Sequence, residues 1–414
     1  MPYRFRVLLF ICSLTTLTYL DRVCISIVGV RMKADLGLSN QQFGWVLASF
    51  ALAYGLFEIP SGAWGDRKGP RAVFIRIVLW WSLFTALTGV VGGLISLLVI
   101  RFLFGMGESG VMPNSVLVIS RWFPAAETGR ALPWMGIGTQ IGSAIAPLVI
   151  IPMAAAYGWR MPFFVNGVLG LVWVAVCYRW FRNFPSGMRR ISSKEVKYIE
   201  SGRRYSNGQR LLPWKIIFAN RSLWALMVMY FCFQWANYFF IAWMPVYVQE
   251  KLGFSESQTK AVVFTVFIVG IAGLLAGGYC IDKLAQKKGL RKGRQWMGIF
   301  GMGSCGLSIL LAALASSPRW AAGWIITANG CYSFGVMSCF AVCTDIGRNN
   351  AGTVSGAMNS FGQIGAFFLA IVFGQMVDNG QHFARPLVVI ALTLFVGSLL
   401  WLLIDPTKPL DWQE

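Results

Sequence analysis

An arginine and a glutamate stand seven residues apart in an otherwise apolar stretch from about residue 94 to residue 119. On a helix, Arg101 and Glu108 would be separated by about two turns and would therefore share one face. Asp21 and Arg22 form a second charged pair inside the first apolar stretch. Because an ionisable residue at membrane depth is energetically costly, it usually faces a polar cavity or pairs with another charge. The two pairs indicate a functional polar centre, and a structural ion pair between helices is the alternative.

The composition predicts an all-α membrane protein. The chain has 414 residues, of which 56% are hydrophobic and 13% charged, and its mean hydropathy is +0.61. Apolar segments of about 20 residues recur along its whole length, which is typical of transmembrane helices. Twelve spans are predicted at roughly 7–30, 42–63, 72–93, 95–119, 129–155, 160–181, 221–249, 258–281, 295–315, 319–343, 351–377 and 383–404.

A hydrophilic connector divides these spans into two groups of six. We predict one six-helix bundle over residues 1–182, a cytoplasmic connector over 183–220 and a second six-helix bundle over 221–414. Of the 36 lysines and arginines, 27 fall on the side that holds both termini and 7 on the other side. Both termini are therefore predicted to be cytoplasmic. The net charge of +20 reflects this topology, so we expect no nucleic-acid partner.

The composition does not favour a metal centre or an enzyme. The nine cysteines lie mostly within apolar spans without metal-ligand spacing, and the chain has a single histidine, His382. The sequence contains no arrangement of a nucleophile and a base. We expect no metal, no cofactor other than protons as the coupling ion, and no enzymatic activity.

The two groups of six spans share sequence patterns. A glycine, ten residues and the triplet Gln140-Ile141-Gly142 in the fifth span recur in the eleventh span, from Gly352 to Gln363-Ile364-Gly365. The first pattern begins at Gly129. Weak similarity between halves is typical of transporters built from internal repeats.

The segment GAWGDRKGPR, Gly62–Arg71, resembles the signature loop between helices two and three of the major facilitator superfamily. The matching positions of that loop are Gly62, Asp66, Arg67, Gly69 and Arg71. The glycines permit a tight turn and close packing, and the basic residues stay at the cytoplasmic surface. An ordinary positively charged cytoplasmic loop is the alternative.

A narrower resemblance concerns the charged residues. The sequence Tyr19-Leu20-Asp21-Arg22, Tyr54 and Glu58 in the second span, and Arg101 with Glu108 in the fourth are similar to the anion:cation symporter family. That family includes bacterial proton-coupled transporters of galactonate, hexuronates, glucarate and tartrate, and the animal sialin and vesicular glutamate transporters. The resemblance implies the major facilitator fold and alternating access.

The resemblance also assigns expected roles. Arg22 would meet the carboxylate of the substrate, since a planar guanidinium can bind it with two parallel hydrogen bonds. Asp21 and Glu108 would couple transport to protons. Arg101 would pair with Glu108 or Asp21 in one state and with the substrate in another.

Further polar residues are candidate substrate ligands. Tyr19 shares a helix face with Arg22, and Tyr54 is its expected companion from the second span. Gln140 and Asn359 suit recognition of hydroxyl groups, with polar helix–helix hydrogen bonding as the alternative. Gln234 and Asn237 in the seventh span are further candidates of the same kind. Glu58 is either a third proton site or a structural helix cap.

We therefore predict a proton-coupled symporter in a bacterial-type inner membrane that works as a monomer in the lipid bilayer. Its substrate would be a small organic anion, with a sugar acid (an aldonate, hexuronate or aldarate) as our expectation. An organophosphate:phosphate antiporter is one alternative, although both buried arginines lie in the first half. A membrane receptor that senses the anion without transporting it is the other.

Overall fold

The computed structural model describes residues 1–124, 127, 131–188, 190–202, 220–347, 351–378 and 384–408. The regular secondary structure in these ranges is helical, and they contain no strand. Twelve segments in the described part of the chain are long and apolar enough to cross a membrane, which confirms the predicted all-α membrane fold. We number them spans 1 to 12 in chain order: Tyr3–Ile27, Asn40–Gly65, Pro70–Thr88, Leu94–Trp122, Pro133–Tyr157, Met161–Trp180, Arg221–Glu250, Glu256–Lys288, Leu290–Leu314, Pro318–Gly347, Thr353–Asp378 and Ala384–Leu403.

Several spans differ from one regular helix of that length. The helices of spans 2 and 11 extend over Asn40–Lys68 and Ala351–Asp378. Span 4 consists of Leu94–Glu108 and Val111–Trp122, and span 12 of Ala384–Leu400 followed by a 3-10 turn, Trp401–Leu403. Span 7 contains Arg221–Tyr238, a π-helical turn at Phe239–Trp243, and Met244–Glu250. Outside the spans lie helices Gly29–Leu36 and Ser193–Ser201 and a 3-10 turn, Pro185–Gly187.

Spans 2 and 8 begin with the same local structure. The side chains of Ser39 and Ser255 each accept a hydrogen bond from the backbone N–H three residues later. The glutamines at those positions, Gln42 and Gln258, accept from the backbone N–H of the respective serine. Such a capping box satisfies two backbone donors that the helix cannot. Its presence at both helices agrees with the internal similarity of the sequence.

The two halves of the chain, spans 1–6 and spans 7–12, are in extensive contact. Span 2 packs along span 11, span 5 along span 8, and span 1 against the second part of span 7. Gly44 lies against the backbone carbonyl of Ala370, and Gly374 against that of Asn40, so any larger side chain would separate spans 2 and 11. These contacts hold the two halves close together along spans 2 and 11.

Polar contacts join the halves at one membrane face. With twelve spans, both termini lie on one face, which we call the terminal face; the other is the opposite face. At the opposite face, Arg31 binds Glu256 at 2.7 Å and Lys33 binds Glu250 at 2.6 Å. Asp378 accepts hydrogen bonds from the first two backbone N–H groups of the helix of span 2, at 2.9 and 2.6 Å. We call these three contacts the latch. They hold the halves together at the opposite face.

Candidate functional site

Glu108 pairs with Arg22 and not with its neighbour in sequence, Arg101. The Nε of Arg22 lies 2.6 Å from the Oε1 of Glu108, and the glutamate side chain is fully buried. Glu108 is the last residue of the first helix of span 4, and Arg22 reaches it from span 1. The sequence analysis expected Arg101 to pair with Glu108 or Asp21, and the pairing of Glu108 with Arg22 is one that spacing along a single helix could not reveal.

Aromatic rings surround the Arg22 guanidinium. Its central carbon lies 4.5 Å from the ring centroid of Tyr54, 5.0 Å from that of Tyr19 and 5.1 Å from that of Phe50. A guanidinium over a ring face is attracted to the negative centre of the ring, which also fixes its plane. The structure thus brings Tyr19 and Tyr54 to Arg22, as the sequence predicted.

Arg101 is buried without a carboxylate partner among the described residues. It is 3% exposed, its Nε has no hydrogen-bond partner, and no acid lies within ion-pair distance. Two rings lie beside its charge, Phe104 at 4.4 Å and Phe50 at 5.3 Å, and the carboxyls of Glu108 and Asp21 act on it from beyond ion-pair distance. Because a buried charge is stable only when it is paired or solvated, this guanidinium is suited to receive an anion.

A narrow cavity lies between the two halves, next to both arginines. The first half contributes Arg22, Ser26 and Arg101 to its polar lining, and the second half contributes Gln234, Asn237 and Gln363. Its volume, counted as the space open to the centre of a water-sized sphere, is about 20 Å³. This is room for one or two water molecules. An organic anion of several carbon atoms would fit only if the halves or their side chains moved apart.

Gln363 was not identified as a site residue by the sequence reasoning. It lies in span 11, and no hydrogen bond occupies its amide or that of Asn237 among the described residues. The sequence did contain an indication of its importance, because Gln363 is the counterpart of Gln140 in the internal repeat.

The predicted hydroxyl ligands Gln140 and Asn359 do not line this cavity. The Nε2 of Gln140 donates to the Oγ of Ser333 in span 10 at 2.7 Å. The Nδ2 of Asn359 donates to the Oε1 of Glu58 in span 2 at 2.5 Å. Both hydrogen bonds join the two halves, which is the helix–helix alternative considered from the sequence. Glu58 also lies well inside the helix Asn40–Lys68, so it is not a helix cap.

Asp21 is buried behind the cavity, not on its wall. It is 2% exposed, and neither carboxylate oxygen has a hydrogen-bond partner among the described residues. The polar groups that face it are the amide of Asn166 in span 6 and, from span 4, the charges of Arg101 and Glu108. An ionised carboxylate without partners is costly in such a place.

The signature segment is mostly helical, contrary to the expected loop. The helix of span 2 continues through Gly62 and Gly65 to Lys68, and only Gly69, at φ 85°, turns the chain before Pro70 begins the next helix. The backbone N–H of Arg71 donates to Asn183, and its guanidinium to the carbonyl of Tyr178. Arg67 is exposed. The side chain of Asp66 lies outside the described part of the structure, as does Gly129 of the repeat.

Comparison with known proteins identifies the family. Residues 11–370 match the family model described as Major Facilitator Superfamily. This chain belongs to the Major Facilitator Superfamily. The superfamily consists of transporters, so the chain is a multi-pass membrane transporter and not an enzyme. The resemblance stated from the signature segment is confirmed.

Two relatives resemble this chain over nearly their whole length. The "Probable sulfoacetate transporter SauU" of Cupriavidus necator is 28% identical over 97% of this chain and 93% of its own. The "Probable L-galactonate transporter" of Escherichia coli is 29% identical over 95% of this chain and 88% of its own. A solved bacterial homologue of the human lysosomal transporter Spinster has a TM-score of 0.76 and 20% identity, covering 98% of this chain and 97% of that one. It supports the fold.

Proposed function

We propose that this protein is a proton-coupled symporter that imports a small organic anion, with a sugar acid as its substrate. The observation that carries the proposal is the buried guanidinium of Arg101, which has no carboxylate partner among the described residues, at a cavity also lined by the amides of Asn237 and Gln363. A cation fits a carboxylate, and amides fit hydroxyl groups. Relatives named for galactonate and sulfoacetate transport support an organic acid.

Coupling follows from the pair of Arg22 and Glu108. When Glu108 takes up a proton it loses its charge, and Arg22 is freed to bind the carboxylate together with Arg101. An anion that occupies Arg22 in turn favours the protonated form of Glu108, since binding linkage is reciprocal. Proton and anion thus assist each other's binding, which is the requirement of a symporter. Asp21 is the second proposed proton site, and Glu58 remains a predicted third.

We further propose that residues 1–182 and 221–414 move as two bundles around the cavity by alternating access. The latch closes the opposite face, so in this state the cavity would open toward the terminal face. We place that face in the cytoplasm of a bacterial-type cell, with the protein acting as a monomer in the inner membrane.

The test is uptake into liposomes that contain the purified protein. The panel of labelled anions is galactonate, glucuronate, glucarate, tartrate, sulfoacetate and a sugar phosphate, each measured with an inward proton gradient. We expect uphill uptake of one sugar acid that a protonophore abolishes. Uptake driven only by an inward sodium gradient would contradict proton coupling. Uptake only against preloaded phosphate would favour the antiporter, and saturable binding without flux would favour the receptor.

Replacement of Arg101 tests the proposed anion site. Loss of a charge-assisted hydrogen bond costs roughly 1.5–3 kcal/mol, so Arg101→Ala should weaken binding of the transported acid roughly 10- to 150-fold. Arg101→Lys keeps the charge but not the planar fork and should lose less. Equilibrium binding of labelled acid to detergent-solubilised protein measures both. Arg160→Ala, at an exposed arginine on the opposite face, is the control. Unchanged affinity in Arg101→Ala would rule out this role.

A further inference from the structure

We infer that Asp21 exchanges its proton through a buried water site inside the first half, formed by Asn166 of span 6 and Ser82 and Thr85 of span 3. The ligand of this site is water, and the site is separate from the substrate cavity. The inference rests on the proposed proton coupling. It makes Asn166 a positioning residue for the proton carried by Asp21.

The polar atoms at this place are buried and unpaired. Asn166, Ser82 and Thr85 are each 2% exposed. The Nδ2 of Asn166, the Oγ of Ser82 and the Oγ1 of Thr85 have no hydrogen-bond partner among the described residues, and the same is true of both Asp21 oxygens. Buried polar groups are normally satisfied, so a cluster of unpaired ones points to ordered water.

Spans 3 and 6 pack closely beside Asn166. Gly167 and Gly170 follow Asn166 on span 6, and a side chain at Gly170 would overlap the Oγ of Ser82. At Gly167 an added Cβ would lie 2.9 Å from the backbone carbonyl of Ser82. Asn166 itself faces Asp21 of span 1. Span 6 therefore meets Asp21 of span 1 through Asn166 and Ser82 of span 3 through its two glycines.

The site lies at about the depth of Asp21, in the part of the first half that is nearer the opposite face. Ser82 and Thr85 occupy the last two turns of span 3, which ends at Thr88 on that face. The latch closes the same face to the substrate. A proton can move along hydrogen-bonded water where an organic anion cannot pass, so protons would reach Asp21 from the opposite face while the anion pathway there is shut.

The charges around Asp21 are compatible with this role. Arg101 and Glu108 face it from span 4, and on its own helix Arg22 is bound to Glu108 and Cys24 is buried. No cation forms an ion pair with Asp21 among the described residues. Its proton thus moves to and from water, with the carboxylate solvated in the deprotonated form.

Infrared spectroscopy of the full-length protein in liposomes tests the water site directly. The band of the protonated Asp21 carboxyl is assigned by its absence in Asp21→Asn, and its hydrogen–deuterium exchange is followed after a switch to D₂O. We expect Asn166→Leu to slow this exchange at least roughly tenfold, and Asn166→Ser to restore it. Exchange as fast as in the unmodified protein would overturn the proposal.

A second pair of variants covers the case in which Asn166→Leu does not fold. Ser82→Ala combined with Thr85→Val removes only two hydroxyl groups and should also slow the exchange and shift the pH profile of uptake. Ser338→Ala, at a buried and unpaired serine of span 10, is the matched control. An unchanged profile and exchange rate in the double variant would refute the site. If the unmodified protein shows no proton-driven uptake while exchange responds as expected, the proposed function fails and the water site stands.

Discussion

At the scale of single residues, Arg22 and Arg101 contact the same ring, that of Phe50, at 5.1 and 5.3 Å. Of these two arginines, only Arg22 has a carboxylate partner among the described residues. The two guanidiniums are therefore not equivalent: Glu108 balances one charge and leaves the other for a ligand. An incoming carboxylate should meet Arg101 first and reach Arg22 when Glu108 is neutral.

The amide of Gln363 should distinguish hydroxylated acids from plain ones. Glucarate and adipate have the same dicarboxylate chain, and only glucarate carries hydroxyl groups. A neutral hydrogen bond contributes roughly 0.5–1.5 kcal/mol, so Gln363→Ala should weaken glucarate binding roughly 2- to 12-fold and leave adipate binding nearly unchanged. Titration calorimetry of both acids measures the difference.

Gln140→Ala is the matched control for this prediction. Its amide is bound to Ser333 outside the cavity, so its loss should affect both acids alike. An equal loss for glucarate and adipate in Gln363→Ala would show that Gln363 acts on structure and not on hydroxyl recognition.

The sequence predicted those site contacts that depend on helix phase. Tyr19 and Arg22 are three residues apart on one helix, and they do meet. It could not predict that Glu108 would form its ion pair with Arg22. Nor could it predict that Gln140 and Asn359 would form hydrogen bonds to the other half of the chain, because all these partners lie on other helices. Tertiary packing decided between alternatives that periodicity left open.

At the scale of elements, the turn between spans 2 and 3 depends on one glycine. Gly69 has φ 85° and ψ 146°, a conformation that essentially only glycine adopts. Any side chain there would also overlap Asn183, whose carboxamide accepts from the backbone N–H of Arg71. Gly62 and Gly65 of the same motif are helical and pack against Pro113 and Asn114.

Gly69→Ala should therefore destabilise the protein. The backbone strain alone costs about 1–3 kcal/mol, and displacement of Asn183 adds to it. The measurement is the thermal unfolding temperature in detergent. Gly289→Ala has a similar φ of 83° but open space around it, so it isolates the backbone cost. Gly278→Ala, in a helix with no close neighbour, should be neutral or stabilising. An unfolding temperature for Gly69→Ala equal to that of Gly278→Ala would contradict the argument.

Span 7 illustrates what composition cannot predict within an element. The sequence predicts a single helix at 221–249, whereas the structure has a π-helical turn at Phe239–Trp243. There the Trp243 ring stacks on Phe373 at 4.8 Å and meets the edge of Phe43 at 5.7 Å. Because every residue of the turn is apolar, hydropathy continues unbroken through it. The π turn places Ile241 and Ala242 on the cavity wall.

At the scale of the whole molecule, hydropathy and charge counts sufficed to predict twelve spans and the shared position of the termini. They could not predict which face is closed, because that depends on contacts between distant segments. Within the described residues, the ion pairs that join the two halves directly, Arg31 with Glu256 and Lys33 with Glu250, lie at the opposite face.

Breaking the latch should open the opposite face more often. Lys33 is 7% exposed and bound to Glu250 from the other half, so Lys33→Met combined with Glu250→Gln removes a buried link that favours the closed state. A loss of about 1.4 kcal/mol shifts the population tenfold. With the substitution Ser26→Cys on the cavity wall as the background, an impermeant thiol reagent applied at the opposite face should label position 26 roughly tenfold faster in the latch variant than without it.

Asp35→Asn is the control on the same face. Asp35 binds Arg160 within the first half, and hydrogen bonds from Arg160 and Trp159 lower the pKa of its carboxyl, so it stays ionised at neutral pH. Its removal breaks an exposed pair without touching the contact between the halves. If the latch variant labels no faster than this control, the latch does not hold the closed state.

Arg101 has no ion-pair partner among the described residues, and this has a consequence for the response to voltage. With Glu108 balancing Arg22, and with Asp21 and Glu58 protonated, the empty site carries one net positive charge. In the proposed cycle a proton on Glu108 and a monovalent sugar acid bind together, and because their charges cancel, the loaded site keeps this positive charge. An inside-negative potential would then assist the inward step of the loaded carrier and oppose the return of the empty carrier, by about 2.3 kcal/mol per 100 mV for full displacement. A cycle with one proton per anion would thus be electroneutral as a whole, while its return step would limit turnover in an energised membrane.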